Sequence, residues 1–337
     1  MARQTFTEAL QTRPWLLADG ATGTNYFQMG LVSGDAPEMW NFEHPDRVRS
    51  LHKRFIEAGA DIVLTNSFGG NRHRLKLHNA QDQVRELNIA AAKNARAEAD
   101  ASGRDVYVGG SVGPTGEIFM PVGTFPYEEG VSAFAEQAAA LKEGGVDVIW
   151  IETMSSEEEL RAAVEGAATA GLPIVTTMSF DTNGRTMMGI TPSAFGALTT
   201  SLATQPVAIG ANCGVGASEL VATVMGITAA RPDAAVVAKG NCGIPQYHDG
   251  HIHYTGTPEL MADYARIALD AGAKIIGGCC GTSPDHLAAM RKSLESYTKG
   301  TRPTIELIEQ KLGPVSQLAK GVDQAADGAA KRERRRS

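Results

Sequence analysis

Short apolar runs recur along the chain at Trp15–Ala18, Asp61–Leu64, Val106–Gly109, Val146–Ile151, Pro173–Met178, Val207–Gly210, Ala235–Ala238 and Ala273–Ile276. Each is too short for a helix and is bounded by turn-forming or polar residues, so each predicts a buried strand. Between them apolar positions fall at helical spacing, as at Leu260, Tyr264, Ile267 and Ala271, or at Val131, Phe134, Ala138 and Leu141. The predicted helices end alike, in Glu57-Ala-Gly-Ala-Asp61, Lys142-Glu-Gly-Gly-Val146, Ala170-Gly-Leu-Pro173 and Asp270-Ala-Gly-Ala273. In each, glycine supplies a left-handed cap and a strand follows at once. Ser155-Ser156 before three glutamates and Thr257-Pro258-Glu259 mark helix starts. Eight strand–helix units in about 290 residues fit an α/β (β/α)8 TIM barrel better than a doubly wound sheet. We expect one barrel domain over residues 1–297. Residues 298–337 are expected to form a helical extension, amphipathic at Thr301–Leu312, and a disordered basic tail.

A barrel of this kind gathers its chemistry at the carboxyl ends of its strands. Those ends read Asp19-Gly20, Thr65-Asn66, Ser111, Glu152, Ser179, Asn212-Cys213, then Lys239, Asn241 and Cys242, then Cys279-Cys280. The stretch Gly277-Gly-Cys-Cys-Gly-Thr-Ser-Pro284 stands out. Adjacent cysteines do not readily form a disulfide with each other, but flanking glycines let the backbone bend both thiols around one soft cation. Ser283 and Pro284 read as the cap and first residue of a helix, whose positive end favours thiolate. Cys213 ends the sixth predicted strand, so three thiols converge. Cys242 ends the seventh, and whether it contributes stays open. Three thiolates with an open fourth position suit zinc. Buried cysteines in a tight turn are the plainer alternative, and a redox pair is a weaker one, because vicinal cysteines lack the spacing of exchange motifs.

Composition narrows the classes. Of 337 residues, 43% are hydrophobic and 20% charged, enough for a large core. The formal charge is −7, and Lys331–Arg336 alone carries +4, leaving −11 on the body. An acidic body argues against a nucleic-acid groove. The chain has no apolar run fit to span a membrane and no signal-peptide core, and its four cysteines suit a reducing compartment, so a cytoplasmic location is expected. A homo-oligomer is compatible with the sequence, which does not fix the oligomeric state.

Five motifs together carry a resemblance: Asp19-Gly-Ala-Thr-Gly-Thr24, Ala58-Gly-Ala-Asp61 with Thr65-Asn-Ser-Phe68, Ile151-Glu-Thr153, Gly210-Ala-Asn-Cys-Gly214 and Gly277-Gly-Cys-Cys-Gly281. Over about residues 12–295 the chain resembles the zinc-dependent homocysteine S-methyltransferases, a family that includes betaine–homocysteine methyltransferases and the homocysteine module of methionine synthase. The resemblance implies a Zn(2+) site at Cys213, Cys279 and Cys280. It implies that Asp19 and Glu152 hold the ammonium of homocysteine, and that the turn Gly20, Ala21, Thr22 and Gly23 offers N–H groups to its carboxylate. Asp19 before glycine also suits a simple turn, whereas an unpartnered Glu152 in an apolar barrel mouth would be costly, which favours a ligand.

The implied reaction moves a methyl group from betaine or a related onium donor to the zinc-activated thiolate of homocysteine, forming methionine. An onium head wants aromatic faces; Trp40, Tyr26, Phe27, Phe68, Phe119 and Tyr127 lie near early strand ends. Trp40, with Phe68 and Tyr26, is the expected donor pocket, and a hydrophobic plug over the rim is the other reading of Trp40. The animal betaine enzymes carry aromatics where this chain has Gly69 and Thr153, and that wording is closer to the methionine synthase module. The Pro37-Glu-Met-Trp-Asn41 stretch and the basic tail are similar to bacterial betaine–homocysteine methyltransferases. A cobalamin cycle within the chain is not expected. The alternatives are an S-methylmethionine or S-adenosylmethionine donor, or a methyl-transfer subunit acting with a separate corrinoid or folate protein.

Overall fold

The eight apolar runs lie side by side as parallel strands in a computed structural model that describes residues 3–243, 245–248, 251–316, 319 and 320, with the backbone alone for 245–248 and 251–253. They are β1 (Leu16–Leu17), β2 (Ile62–Leu64), β3 (Tyr107–Val112), β4 (Val148–Met154), β5 (Ile174–Met178), β6 (Ala208–Cys213), β7 (Val236–Gly240) and, after a hairpin of β8 (Pro245–His248) and β9 (His251–Tyr254), β10 (Ala273–Gly278). The sheet order is β1-β10-β7-β6-β5-β4-β3-β2, and a parallel bridge between Ala18 and Ile62 brings its two ends together. The result is the expected (β/α)8 barrel. The glycines at the predicted helix ends, Gly59, Gly145, Gly171 and Gly272, all have positive φ, as left-handed caps require. The side chains of Ser156 and Thr257 accept from Glu159 N and Leu260 N, capping the two helices whose starts they mark.

Side-chain alternation decides which residues fill the barrel and which meet the helices. Leu16, Ala18, Ile62, Leu64, Tyr107, Val148, Trp150, Val175, Ala208, Val237 and Ile275 form the inner core, closed from one end by Phe6, Ala9 and Leu10 of an N-terminal helix. The alternate residues Leu17, Val63, Val108, Ile149, Ile151, Ile209, Val236, Ala238 and Ile276 face outward into the larger sheet–helix core. The inward parity, carried to the carboxyl ends, brings Ser111, Glu152, Asn212 and Lys239 into the barrel mouth.

Past residue 297 the chain forms a helix, Ile305–Leu312, which starts four residues later than expected because Thr304 caps it, accepting from Leu307 N. Ile308, Leu312, Val315 and Ala319 are buried with the outer core, and Ser218 Oγ donates to Pro314 O at 2.9 Å. The basic tail falls on residues 321–337, outside the described residues. No helix among the described residues is long and apolar enough to cross a membrane.

The seam between β1 and β2 is held by two backbone bonds, Asp61 N to Leu17 O and Asp19 N to Ile62 O, and by two carboxylates. Asp61 accepts from Leu17 N at 2.9 Å and meets Arg13, Arg104 and Arg291 within 3.4 Å. At the other end of the seam Asp19 accepts from Leu64 N at 2.8 Å. Asp61→Ala therefore strands the buried Leu17 N–H and removes the carboxylate that three arginines share, although Arg13 keeps Asp105 and Arg291 keeps Glu295. We expect a loss of about 2–3 kcal/mol, since a charged hydrogen-bond partner is removed, read as a lowered urea midpoint. A midpoint unchanged from the wild type would show that the single backbone bridge suffices to close the barrel.

Candidate functional site

Three strand ends deliver the three thiols. Cys213 ends β6 with φ of +57°, a left-handed value that a non-glycine residue adopts at a cost. By alternation Cys213 would face the helices; this backbone turn re-aims it. Cys279 and Cys280 follow β10, where Cys279 N donates to Gly240 O at 2.7 Å and Cys280 N to Asn241 Oδ1 at 3.1 Å. Gly278 is needed because an added Cβ would lie 2.3 Å from the Thr282 side chain. Cys213 Sγ stands 2.9 Å from Cys279 Sγ and 3.9 Å from Cys280 Sγ, and all three sulfurs lie within 4.8 Å of one another. Hydrogen bonds from Cys213 and Cys279 lower the Cys280 thiol pKa, while those of Cys213 with Cys279 and Cys280 raise its own. Cys242 stands apart, buried in the outer core, where burial pushes its thiol up to about 12.

Asn212 locks the neighbouring strands. Its Oδ1 accepts from Thr153 N at 2.9 Å and Thr177 Oγ1 at 2.6 Å, while Nδ2 donates to Thr153 Oγ1 at 2.7 Å. Thr153 is itself left-handed, at φ +66°. Strained residues thus flank both the thiol cluster and Glu152. Ser111 Oγ donates to Glu152 Oε1 at 2.5 Å. Burial pushes Glu152 up to about 7, against the pull of the Lys239 ammonium.

Lys239 changes the expected picture of the carboxylates. Its Nζ lies 2.7 Å from Asp19 Oδ1, with both side chains almost fully buried. Burial opposes the Lys239 charge, yet Asp19 and Glu152 outweigh it and raise the pKa above the ordinary lysine value. With Leu64 N on Oδ2 and Lys239 on Oδ1, Asp19 is occupied on both oxygens and does not line the cavity. The turn after it is also partly committed, because Ala21 N donates to Thr282 O at 3.1 Å. Gly20 permits this approach; a Cβ there would fall 2.6 Å from Thr282 O.

The thiols open on a cavity of about 340 Å³ that also presents Gly20, Ala21, Thr22, Ser111, Glu152 and Lys239. A family model described as homocysteine S-methyltransferase matches residues 16–294. The chain belongs to the homocysteine S-methyltransferase family. It is 30% identical over 308 residues to a methionine synthase of Mycobacterium leprae (strain TN), covering 86% of this chain and 25% of that protein. A methionine synthase of Mycobacterium tuberculosis (strain ATCC 25618 / H37Rv) is 30% identical over 307 residues, covering 85% and 25%. The chain thus spans about a quarter of the length of these relatives. Among solved structures it resembles the homocysteine methyltransferase MmuM from Escherichia coli in its oxidized form. The TM-score is 0.68 at 24% identity, covering 84% of this chain and 97% of that one, and the metallated form gives the same values. At that identity the likeness is one of fold.

For this family member the aromatic residues divide sharply. Phe68 and Phe27 line the cavity, 38% and 52% exposed. Trp40 and Tyr26 do not line it. The two rings pack 5.2 Å apart inside the outer core, and Trp40 carries His44 edge-on and the Arg47 guanidinium 5.0 Å from its centroid. The face expected to receive a donor cation already holds an arginine. Glu38 joins the cavity wall instead; it accepts from Gly69 N at 2.6 Å, and burial raises its pKa. Lys239, Glu38 and the side chain of Asn212 were given no role by the motifs. The inward parity counted from Val237 and Ala208 is the signal that finds Lys239 and Asn212.

Proposed function

We propose that this chain moves a methyl group from a cationic donor to the sulfur of homocysteine, with Cys213, Cys279 and Cys280 holding a zinc ion. The observation that carries this is the convergence of three thiols on a cavity that also presents Glu152. Three soft donors with an open side suit zinc, and the 3.9 Å between Cys213 and Cys280 is close to the about 3.8 Å expected of sulfurs around it. The 2.9 Å contact between Cys213 and Cys279 is a thiol–thiol contact that a shared cation would open. A metallated form of the Escherichia coli fold relative is in keeping with this. When bound, the zinc lets a coordinated thiol lose its proton near neutral pH, where a free thiol is only a few per cent ionised.

The chain's own residues hold the acceptor. Glu152, oriented by Ser111, takes the ammonium of the amino acid. Phe68 and Phe27 offer π faces to a cationic donor head, with the buried Glu38 on the same wall. Betaine is the first candidate, and S-methylmethionine or S-adenosylmethionine the next. A second reading rests on the relatives: a chain 30% identical to proteins about four times its length, named methionine synthase, could receive its methyl group from a separate corrinoid or folate protein. Zinc-loaded protein, homocysteine and one candidate donor per tube, read as methionine, separates the two. Methionine with a small onium donor supports the first; none with any such donor rejects it.

Cys213→Ser, Cys279→Ser and Cys280→Ser should each lose the metal, because a hydroxyl stays protonated where a thiolate is needed. Cys242→Ser should keep about one zinc per chain. Elemental analysis finding full zinc in any of the first three removes that residue from the ligand set.

Phe68→Leu keeps apolar bulk and removes a π face, so the donor KM should rise by about 2- to 30-fold, the equivalent of 0.5–2 kcal/mol. Homocysteine KM and zinc content should hold. A normal donor KM would mean that the cation sits elsewhere.

Glu152 gives a pH signature. Methionine has the ammonium and carboxylate but no thiol, so its binding is free of thiol ionisation. Because burial raises Glu152 to about 7, the group is protonated below that value and cannot pair with an ammonium. Calorimetry should show methionine binding tighten as pH rises from 6 to 8. Glu152→Gln should flatten the profile and weaken binding at pH 8 by about tenfold, the loss of a charged hydrogen bond. The same pH slope in Glu152→Gln would assign the titration to another group.

A further inference from the structure

The chain leaves Cys213 through a connector with few anchors of its own. Cys213, Gly214 and Gly216 have φ of +57°, +77° and +153°, so three of the four residues 213–216 lie in the left-handed region. The helix Ala217–Ala230 begins at once, and Gly216, its cap residue, offers no side-chain bond to the first turn. Serine or asparagine would supply that bond locally, but a positive φ favours glycine. One tie reaches the connector from a neighbouring strand end, where Asn241 Nδ2 donates to Gly214 O at 2.7 Å.

The first turn of that helix is tied instead to the C-terminal extension. Ser218 Oγ donates to Pro314 O at 2.9 Å, and Ser316 N donates to Glu219 Oε1 at 2.5 Å. The extension is pinned in turn. Val315 N donates to Glu309 Oε1 at 3.2 Å, Lys320 Nζ lies 2.7 Å from the same oxygen, and Val315 and Ala319 are buried in the outer core. Ala319 also lies against Gly184 in the loop after β5, where an added Cβ would fall 3.0 Å from the Ala319 Cα. Glu219 is itself buried, and its Oε2 has no partner among the described residues. Burying a carboxyl group with an idle oxygen is costly, and an apolar side chain would pack the extension without that cost. What the carboxyl group adds is direction, because it fixes one backbone N–H at one place.

We propose that Glu219 is a positioning residue for the thiol cluster. By holding Ser316 it fixes the first turn of the helix, and with it the connector that keeps Cys213 in its left-handed turn. The C-terminal extension then belongs to the scaffold of the metal centre. This rests on Cys213 being a zinc ligand.

The test follows zinc leaving the intact, zinc-loaded chain for an excess of chelator, with the urea midpoint of each variant measured beside it. Glu219→Ala should release zinc at least about tenfold faster than wild type, the equivalent of one hydrogen bond to a charged group. Glu219→Gln keeps an acceptor for Ser316 N and should stay within about threefold of wild type. Asp61→Ala, which loosens the barrel at the amino end of β2, is the stability control and should release zinc at the wild-type rate. Should Glu219→Ala fail to fold, Ser218→Ala removes the neighbouring tie and should speed release by about threefold, as a neutral hydrogen bond implies. Wild-type release from these alanine variants of the first turn overturns the inference, as does a Glu219→Gln variant as fast as Glu219→Ala. Release that simply follows the urea midpoint, Asp61→Ala included, also overturns it, since a residue that only supports the fold behaves so. All three results leave the zinc ligands standing. A wild type that takes up no zinc overturns the ligand reading itself, and this inference with it.

Discussion

The buried pair of Asp19 and Lys239 is the constraint around which the barrel mouth is arranged. Asp19 joins the end of β1 to β2 through Leu64 N and to β7 through Lys239, so one carboxylate ties three strands at the level where chemistry is possible. Desolvation works against both charges, and the 2.7 Å contact is what makes their burial tolerable. Holding them there has a directional effect. Lys239 lines the cavity and Asp19 does not, so the charged member of the pair at this wall is the lysine and not the aspartate of the local motif. Glu152 and Glu38 are the carboxyl groups that line the cavity, and the raised pKa of Glu152 reflects burial only partly offset by Lys239.

Around this pair the backbone departs from regular pairing. The pairing of β4 with β5 shifts between Ile151 and Met154, near the carboxyl ends, and that of β10 with β7 shifts between Ala273 and Ile275, near the start of β10. Thr153 and Cys213, both left-handed, sit at the upper ends of β4 and β6 and are joined through the fully engaged amide of Asn212. Their conformations are costly, and they persist because three hydrogen bonds to one side chain leave no alternative arrangement. The thiol of Cys213 faces the other two through that strain. A relaxed strand would send it to the opposite face of the sheet.

Much of the barrel is legible in the chain because parallel strands buried on both faces must be continuous apolar runs, and glycine is the residue that ends a helix and admits a strand at once. What the pattern hides is the carboxyl end of each strand. β3, β4 and β6 run on through Ser111, Glu152 and Asn212, three residues past the apolar stretch, since a functional end is polar by necessity. That Cys213, Cys279 and Cys280 end nearby strands follows from strand order, but that their thiols meet depends on the left-handed turn at Cys213, which the pattern does not show. The state of Asp19 does not, because its partner lies 220 positions away and no local motif records it. The hairpin of β8 and β9 is missed for a different reason: its runs are too polar to read as strands, and only the pair Asp249-Gly250 between them signals a turn.

Aromatic residues show the limit of residue type as evidence. Trp40 has the strongest π face of these residues, but it already holds a cation: Arg47 lies over it, and Tyr26 and His44 pack against it. The phenylalanines are weaker cation binders but remain uncovered. Their position divides the cavity into two walls. The large apolar side chains Leu64, Phe27, Pro37 and Phe68 come from the β1 and β2 side, together with Glu38 and the shorter Thr65, Asn66 and Ser67, while Ser111, Glu152, Lys239 and the cysteines come from β3, β4, β6, β7 and β10. A ligand with a charged amino-acid head and a sulfur is held best against the second wall, with its sulfur toward the thiols. The first wall then faces that sulfur across the cavity with its phenylalanine faces, and the one carboxyl among them, Glu38, has its charge opposed by burial. Such an arrangement suits an electrophile whose positive charge disappears on transfer, because a site that bound the cation too firmly would oppose the loss of that charge.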